Sequence, residues 1–293
     1  MHSSHQFGGD WTDEKLERVR KYLHAYAKIL KKQNNLRYAY IDAFAGTGYR
    51  DIRPGSDQEA ELFETLAGDE SKRLKEGSAI LALQCEIPFH KYIFIEKNRN
   101  NLQQLKNRVS DQFPEKMNSV DFCHADANEI IQDLCRKGWN RRRAMLFLDP
   151  YGMQVKWKTL EMIAKTQAID MWLLFPWGVA VNRMLPRDGQ LNKEWMQKLD
   201  EFFGDEQWRN AFYNYKVEET LFGTDEIAIK QAQLSSIKDY FNDRLKCIFP
   251  HVADNPLPLY NSRNNPLYIL FFAAANPKGG ETAIRIAQHI LGT

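Results

Sequence analysis

Cysteine is scarce in this sequence: Cys85, Cys123, Cys135 and Cys247 are all there is. No pair has the Cys-x-x-Cys or Cys/His spacing of a zinc or redox motif, so neither a metal site nor a disulfide framework is expected. Reduced thiols fit a cytoplasmic protein. Long apolar runs are missing too. The longest, Met171 to Val181, is broken by Pro176 and falls short of the ~20 residues that span a bilayer, so no membrane association is expected. Met1 to Trp11 holds no apolar segment of the kind a secretory signal needs. Charge of one sign is lacking as well. Lys and Arg number 40 against 38 Asp and Glu, a formal net charge of +2, too small a bias to indicate nucleic acid by itself. There is no internal repeat and no low-complexity tract.

What is present is a core. With 43% apolar and 12% aromatic residues, 293 residues suffice for one large domain, or a domain with a cap. Thr12 is placed to cap a first helix with Asp13 and Glu14 in its first turn and Lys28, Lys31 and Lys32 near its end, complementing the helix dipole. Leu16, Val19, Leu23, Tyr26 and Leu30 recur at helical spacing, so one face is buried.

Short apolar runs then alternate with amphipathic segments, the pattern of βα units on a parallel sheet. Strands are predicted at Tyr38 to Phe44, Lys91 to Glu96, Ser119 to Cys123, Ala144 to Asp149 and Asp170 to Phe175. Helices are predicted at Ser78 to Gln84, Asn98 to Gln112, Ala127 to Lys137 and Trp157 to Lys165. The fold class is therefore α/β, a doubly wound, mostly parallel sheet with an N-terminal helix. Helical stretches at Lys193 to Phe203, Glu206 to Tyr213 and Glu226 to Phe249 read as a cap or insertion, and Leu267 to Ala274 and Glu281 to Leu291 as a last strand and helix. The expected organisation is a helical segment over 1–36, a cofactor-binding core over 37–192 with an insertion at 50–77, a helical cap over 193–250, and strands and a helix completing the core over 251–293. The insertion reads either as a lid or as a solvated excursion.

In an open α/β sheet, ligands bind beyond the carboxyl ends of the strands where strand order reverses, so residues ending strands are the candidates. The first strand runs into Asp42-Ala43-Phe44-Ala45-Gly46-Thr47-Gly48, whose glycines let backbone N–H groups approach a ligand. A dinucleotide fingerprint would need a third Gly where Asp51 stands. The second strand ends on Glu96, placed to accept both hydroxyl protons of a ribose. The third is followed by Asp126-Ala127, a carboxylate for an adenine amino group. Each has a structural alternative: Asp42 caps a turn, Glu96 is a surface carboxylate, Asp126 is the N-cap of the next helix. Three consecutive βα units with suitable residues at the strand end point jointly to a nucleoside-bearing cofactor.

The fourth strand delivers Asp149-Pro150-Tyr151-Gly152, a carboxylate and a ring at the same edge and the candidate catalytic pair. Trp172, Trp177, Arg183 and Arg187 could wall a pocket, though core packing explains most of the aromatics. Arg141-Arg142-Arg143 precedes the fourth strand, at the opposite edge, and reads as a solvated face.

These motifs resemble those of class I S-adenosylmethionine-dependent methyltransferases, Phe44-Ala45-Gly46-Thr47-Gly48 being similar to the FAGxG loop of amino-methylating members. More narrowly, Phe7-Gly8-Gly9-Asp10-Trp11-Thr12, Tyr40 to Gly48, Phe147-Leu148-Asp149-Pro150-Tyr151-Gly152-Met153 and Leu174-Phe175-Pro176 resemble the three-Cys-motif partner protein family, up to about Arg183. The resemblance implies a Rossmann-like methyltransferase sheet and S-adenosyl-L-methionine as cofactor. It assigns Asp42, Phe44, Ala45, Gly46, Thr47, Gly48, Glu96, Asp126, Ala127 and Asp149 to cofactor binding, Asp149 and Tyr151 to catalysis, and no residue to a metal. It also implies a partner, a phage-type protein with three cysteines similar to radical-S-adenosylmethionine enzymes. Amino-methylating enzymes usually carry Asp/Asn-Pro-Pro-Tyr/Phe at the fourth strand end, and this sequence has one proline fewer. A nucleic acid, a peptide and a small molecule all stay open as methyl acceptor, and the oligomeric state stays open too. The alternative to an enzyme is a methyltransferase-like binding module that serves the partner.

Overall fold

The computed structural model describes residues 11–48, 76–220 and 223–293. Phe7 to Asp10 of the N-terminal motif and positions 50–75 of the expected insertion lie outside the described residues.

The first helix, α1, spans Trp11–Leu30. It begins one residue before Thr12, which therefore lies inside the first turn and does not cap it. Its buried stripe is Lys15, Leu16, Val19, Tyr22, Leu23, Tyr26 and Ala27, a lysine among six apolar or aromatic side chains.

Five strands follow: β1 (Arg37–Asp42), β2 (Lys91–Ile95), β3 (Val120–Cys123), β4 (Arg142–Leu148) and β5 (Ile169–Phe175). Between them run α2 (Ser78–Leu83), α3 (Arg99–Gln112), α4 (Ala127–Cys135) and α5 (Trp157–Lys165). All nine elements stand where the hydrophobic periodicity puts them, with boundaries moved by a residue or two. The strands form because β-branched, aromatic and leucine side chains run almost without interruption; every residue of β5 is buried, as a strand covered on both faces requires.

The strand order is β3-β2-β1-β4-β5-β10-β8 in an eight-stranded sheet, with β9 pairing with β10 off this path. Strands β1 to β5 are mutually parallel. Strand β10 (Pro266–Ala274) runs antiparallel to β5 on one side and to β8 (His251–Val252) and β9 (Leu257–Tyr260) on the other. The fold is thus the expected mostly parallel, doubly wound sheet. The chain moves outward from β1 to β3 and then returns to β4 on the other side of β1, so the order reverses between β1 and β4. Because β10 is antiparallel, its first residues reach the edge where β1 to β5 end.

One layer packs α1, α2, α3 and α9 (Gly280–Gly292) against the Tyr40, Tyr92, Phe94, Phe147 and Trp172 face. The other packs α4, α5, α6 (Lys193–Phe203) and α8 (Leu234–Ile248) against Ile41, Leu146, Leu148, Leu173 and Phe175. The segment 206–249 corrects the sequence reading. The helix expected at Glu206 to Tyr213 is reduced to α7 (Trp208–Phe212), and the one expected at Glu226 to Phe249 begins only at Leu234. In their place β6 (Tyr213–Thr220) and β7 (Gly223–Lys230) pair antiparallel as a two-stranded ribbon. Tyr213, Tyr215 and Val217 alternate with Asn214, Lys216 and Glu218 along β6, the period of a strand; Tyr213 is buried while Tyr215 and Val217 are exposed. Among the described residues no helix is long and apolar enough to cross a membrane.

Candidate functional site

Strand register brings the candidate residues to one edge. Asp42 is level with Phe94 of β2 and Phe147 of β4, so Phe44, Glu96 and Asp149 all emerge just beyond the same rim. The turn after β1 is locked to β2: Ala45 N–H donates to the Ile95 carbonyl at 3.0 Å, and Gly46 N–H donates to Glu96 Oε2 at 3.0 Å. Gly46 and Gly48 have φ of +58° and +79°, the left-handed region where a side chain is disfavoured. At Gly48 a Cβ would also sit 2.7 Å from Leu105 Cδ1, whereas at Gly46 it would meet nothing within 4 Å. The loop is therefore pressed against α3 at Gly48 and open at Gly46. Arg108 on α3 adds a donor to the Thr47 carbonyl at 2.7 Å.

Glu96 is the hinge of this arrangement. Its Oε1 accepts from Asn98 N–H at 2.7 Å while Oε2 holds Gly46. A carboxylate offers about four lone-pair directions, so each oxygen keeps capacity for a ligand hydroxyl. Asp126 fulfils its structural alternative: it is the N-cap of α4, its Oδ1 accepting from Asn128 N–H at 2.9 Å. Its Oδ2 lies 3.9 Å from Lys97 Nζ. Asp42 is fully buried and also does what its alternative supposed. Its oxygens accept from Tyr40 Oη at 3.1 Å and Phe44 N–H at 3.3 Å. Burial, with the nearby Asp149 charge, pushes its carboxyl up to about 6 against the hydrogen bonds from Ser78 and Tyr40.

A cavity of about 870 Å³ opens beyond all five parallel strands, lined by Phe44, Glu96, Asp126, Ala127 and Tyr151 among others, with Arg183 and Trp195 across from the strand ends. Five of the expected site residues thus share one cavity. Asp42, Ala45, Thr47 and Gly48 lie behind it as support, Gly46 joins it through Glu96, and Asp149, expected at both cofactor and acceptor, is not among its lining. Of the aromatics that could have walled it, Trp172 is buried in the core against Tyr22 and Phe272, and Trp177 is buried with Nε1 donating to the Leu234 carbonyl at 2.8 Å. Arg183 does reach the cavity; Arg187 is not among its lining.

The catalytic candidates differ sharply. Tyr151 is 68% exposed, its N–H donating to Gln154 Oε1 at 3.1 Å. Asp149 is held by Lys15, whose Nζ donates to Oδ1 at 2.7 Å and Oδ2 at 2.5 Å, with side-chain exposures of 5% for the lysine and 23% for the aspartate. The Lys15 ammonium also stands 5.0 Å from the Trp11 ring centroid, and Trp11 stacks on Tyr268 of β10 at 4.8 Å. Burial, with Asp149 and Tyr151 nearby, raises the Tyr268 hydroxyl pKa.

Lys15 and Tyr268 were not identified from the sequence, and Trp11 stood only within the N-terminal motif, with no role assigned. Lys15 carried a signal, a lysine four residues before Val19 and seven before Tyr22 on the buried stripe. Asn128 is also new: its Nδ2 donates to the Gln154 carbonyl at 2.9 Å and its Oδ1 accepts from Lys156 N–H and Thr159 Oγ1, clamping the loop that presents Tyr151.

No family model matches the chain, and no curated protein matches it. Among solved structures it is similar to protein LPL1258 from Legionella pneumophila str. Philadelphia 1, at 12% identity over 82% of this chain and 94% of that one, TM-score 0.41. It is also similar to a methyltransferase from Geobacter sulfurreducens, at 14% identity over 73% and 78%, TM-score 0.31. A third likeness is to Trm1 from Pyrococcus horikoshii, whose structure is a complex with S-adenosyl-L-methionine, at 11% identity over 90% of this chain and 64% of that one, TM-score 0.37. The functional reading rests on the residues of this chain.

Proposed function

We propose that this chain is an S-adenosylmethionine-dependent methyltransferase, related to the three-Cys-motif partner proteins and working in the cytoplasm. The observation that carries the reading is Glu96, a cavity-lining carboxylate at the end of β2 that grips the Gly46 N–H yet keeps lone pairs for a vicinal diol.

The residues fit the cofactor. Glu96 would take the ribose hydroxyls, Asp126 and Ala127 the adenine, and the open side of Gly46, with Phe44, the methionine portion. The cofactor supplies an electrophilic methyl group. The chain's own contribution is alignment and exclusion of water. Tyr151 offers a ring to the acceptor. Asp149, oriented by Lys15, keeps lone pairs to accept a hydrogen bond from an acceptor N–H or O–H. The acceptor is an amine or another nucleophile on a nucleic acid, a peptide or a small molecule.

Transfer of labelled methyl from S-adenosylmethionine to total RNA, DNA, protein and small-molecule extracts tests this. Asp149→Asn and Tyr151→Ala should bind cofactor as wild type while losing transfer, a role commonly worth about 10² to 10⁴ in rate. Abolished cofactor binding in Asp149→Asn would refute the assignment. The Lys15 contact favours a second reading, a methyltransferase-like module serving the three-Cys-motif partner, because it leaves Asp149 no unpaired charge. Cofactor binding with no transfer to any acceptor pool is the outcome that reading requires.

A further inference from the structure

The sheet edge opposite the cavity holds a charge arrangement that the cofactor site does not use. Arg37 begins β1 and Arg142 begins β4, and the two are partners in the parallel register. Their side chains therefore leave the sheet side by side on one face. Arg37 N–H donates to the Arg141 carbonyl at 2.9 Å, bringing a third arginine to the same corner. Like charges placed directly opposite one another on a sheet are destabilising, and no ion pair relieves Arg37, Arg141 or Arg142 among the described residues.

The same face is covered by α4 and α5, which both end at this edge. Lys137 follows α4 and Lys165 stands in the last turn of α5, both exposed and without an ion pair among the described residues. The nearby acids are already engaged, Asp133 with Arg136 at 2.5 Å, Glu161 with Lys158 at 3.1 Å and Asp121 with Lys91 at 2.7 Å. From Leu134 to Leu148 the sequence has no acidic residue. A helix carboxyl end favours a cation in its last turn, which accounts for the two lysines. It accounts for neither strand arginine, nor for Arg141. A local rule broken without compensation inside the chain marks a place where the compensation comes from a ligand.

We propose that Arg37, Lys137, Arg141, Arg142 and Lys165 form a surface that binds the phosphate backbone of a nucleic acid. A single phosphate is saturated by a pair of guanidiniums. Five neighbouring cations without partners match a chain of phosphates. Backbone contacts carry no sequence information, so binding is sequence-tolerant and dependent on salt. The surface lies roughly 20 Å from the cavity, the length of β4 at ~3.3 Å per residue. It anchors the protein on the polymer and does not depend on methyl transfer. The near-neutral overall charge is no objection, since the cations are concentrated at one corner.

The test is fluorescence anisotropy with a labelled 20-base-pair RNA duplex between 50 and 200 mM KCl, comparing wild type with Arg37→Gln/Arg141→Gln/Arg142→Gln. Wild type should bind with a steep salt dependence. The triple variant should lose roughly tenfold or more in affinity and about 2 to 3 in the slope of log affinity against log salt. A control variant, Arg20→Gln/Lys21→Gln/Lys246→Gln, removes as many cations where carboxylates pair them and should bind as wild type. Arg141→Gln alone, outside any strand, should reduce the slope by about 1 should the triple variant fold poorly. The proposal is overturned by no duplex binding at 50 mM salt, by equal losses in the triple and control variants, or by polyglutamate competing as well as RNA of equal charge.

Discussion

Removing the ammonium of Lys15 leaves Asp149 as a partly buried carboxylate with its main counter-charge gone. Breaking a fully buried ion pair from one side costs about 3 to 5 kcal/mol. Asp149 is 23% exposed, so water recovers part of that, and Lys15→Met is expected to cost about 2 to 3 kcal/mol. In a chain of this size the midpoint of thermal unfolding should fall by about 3 to 5 °C. The second half of the prediction is coupling. Asp149→Asn in the Lys15→Met background removes the orphaned charge, so the double variant should be more stable than the sum of the single losses by about 1 to 3 kcal/mol. Urea unfolding of wild type, both single variants and the double variant measures this directly. A Lys15→Met variant within about 0.5 kcal/mol of wild type, or strict additivity, would refute the view that this pair fixes Asp149 at the end of β4.

Gly48→Ala should destabilise by about 1 to 2 kcal/mol from the left-handed backbone alone, and by more because its Cβ would press on Leu105 Cδ1 at 2.7 Å; thermal melts decide, and an unchanged midpoint contradicts the geometry. Tyr151→Ala, at an exposed position, should melt within about 0.5 kcal/mol of wild type while losing methyl transfer. Asp42 and Asp170 both have carboxyls raised by burial to about 6, so the folded protein holds protons that the unfolded chain has released. Stability should therefore fall as pH rises from about 4 to 6 and level off above. Asp170→Asn, keeping an acceptor for the Tyr22 hydroxyl that now donates to Oδ2 at 2.6 Å, should flatten that dependence; an unchanged pH profile of melting would contradict it.

The parallel sheet was legible in the sequence because each of its strands is an apolar run closed by a turn, as Leu146 to Asp149 or Leu173 to Pro176 show. The strand-end carboxylates were legible for the same reason: a parallel sheet delivers every such residue to one edge. The ribbon of β6 and β7 was missed although Tyr213, Tyr215 and Val217 alternate with Asn214, Lys216 and Glu218, because the helices read at Glu206 to Tyr213 and Glu226 to Phe249 ran over its ends. The lid or excursion reading of the insertion lies outside the described residues. The contacts around Asp149 come from α1 and β10, elements at opposite ends of the chain, and only three-dimensional pairing puts Lys15 and Tyr268 beside it. Asp126 shows a different limit. One residue both caps α4 and lines the cavity, so the two readings of the sequence did not exclude each other.

Calorimetric titration of the purified protein with S-adenosylmethionine and its demethylated product tests most directly whether the strand ends hold this cofactor. Wild type should bind both. Glu96→Ala, which removes the acceptor for the ribose hydroxyls at a cost of about 1.5 to 3 kcal/mol, should weaken binding roughly tenfold or more. No heat of binding from wild type, or equal affinity in Glu96→Ala, would contradict the account.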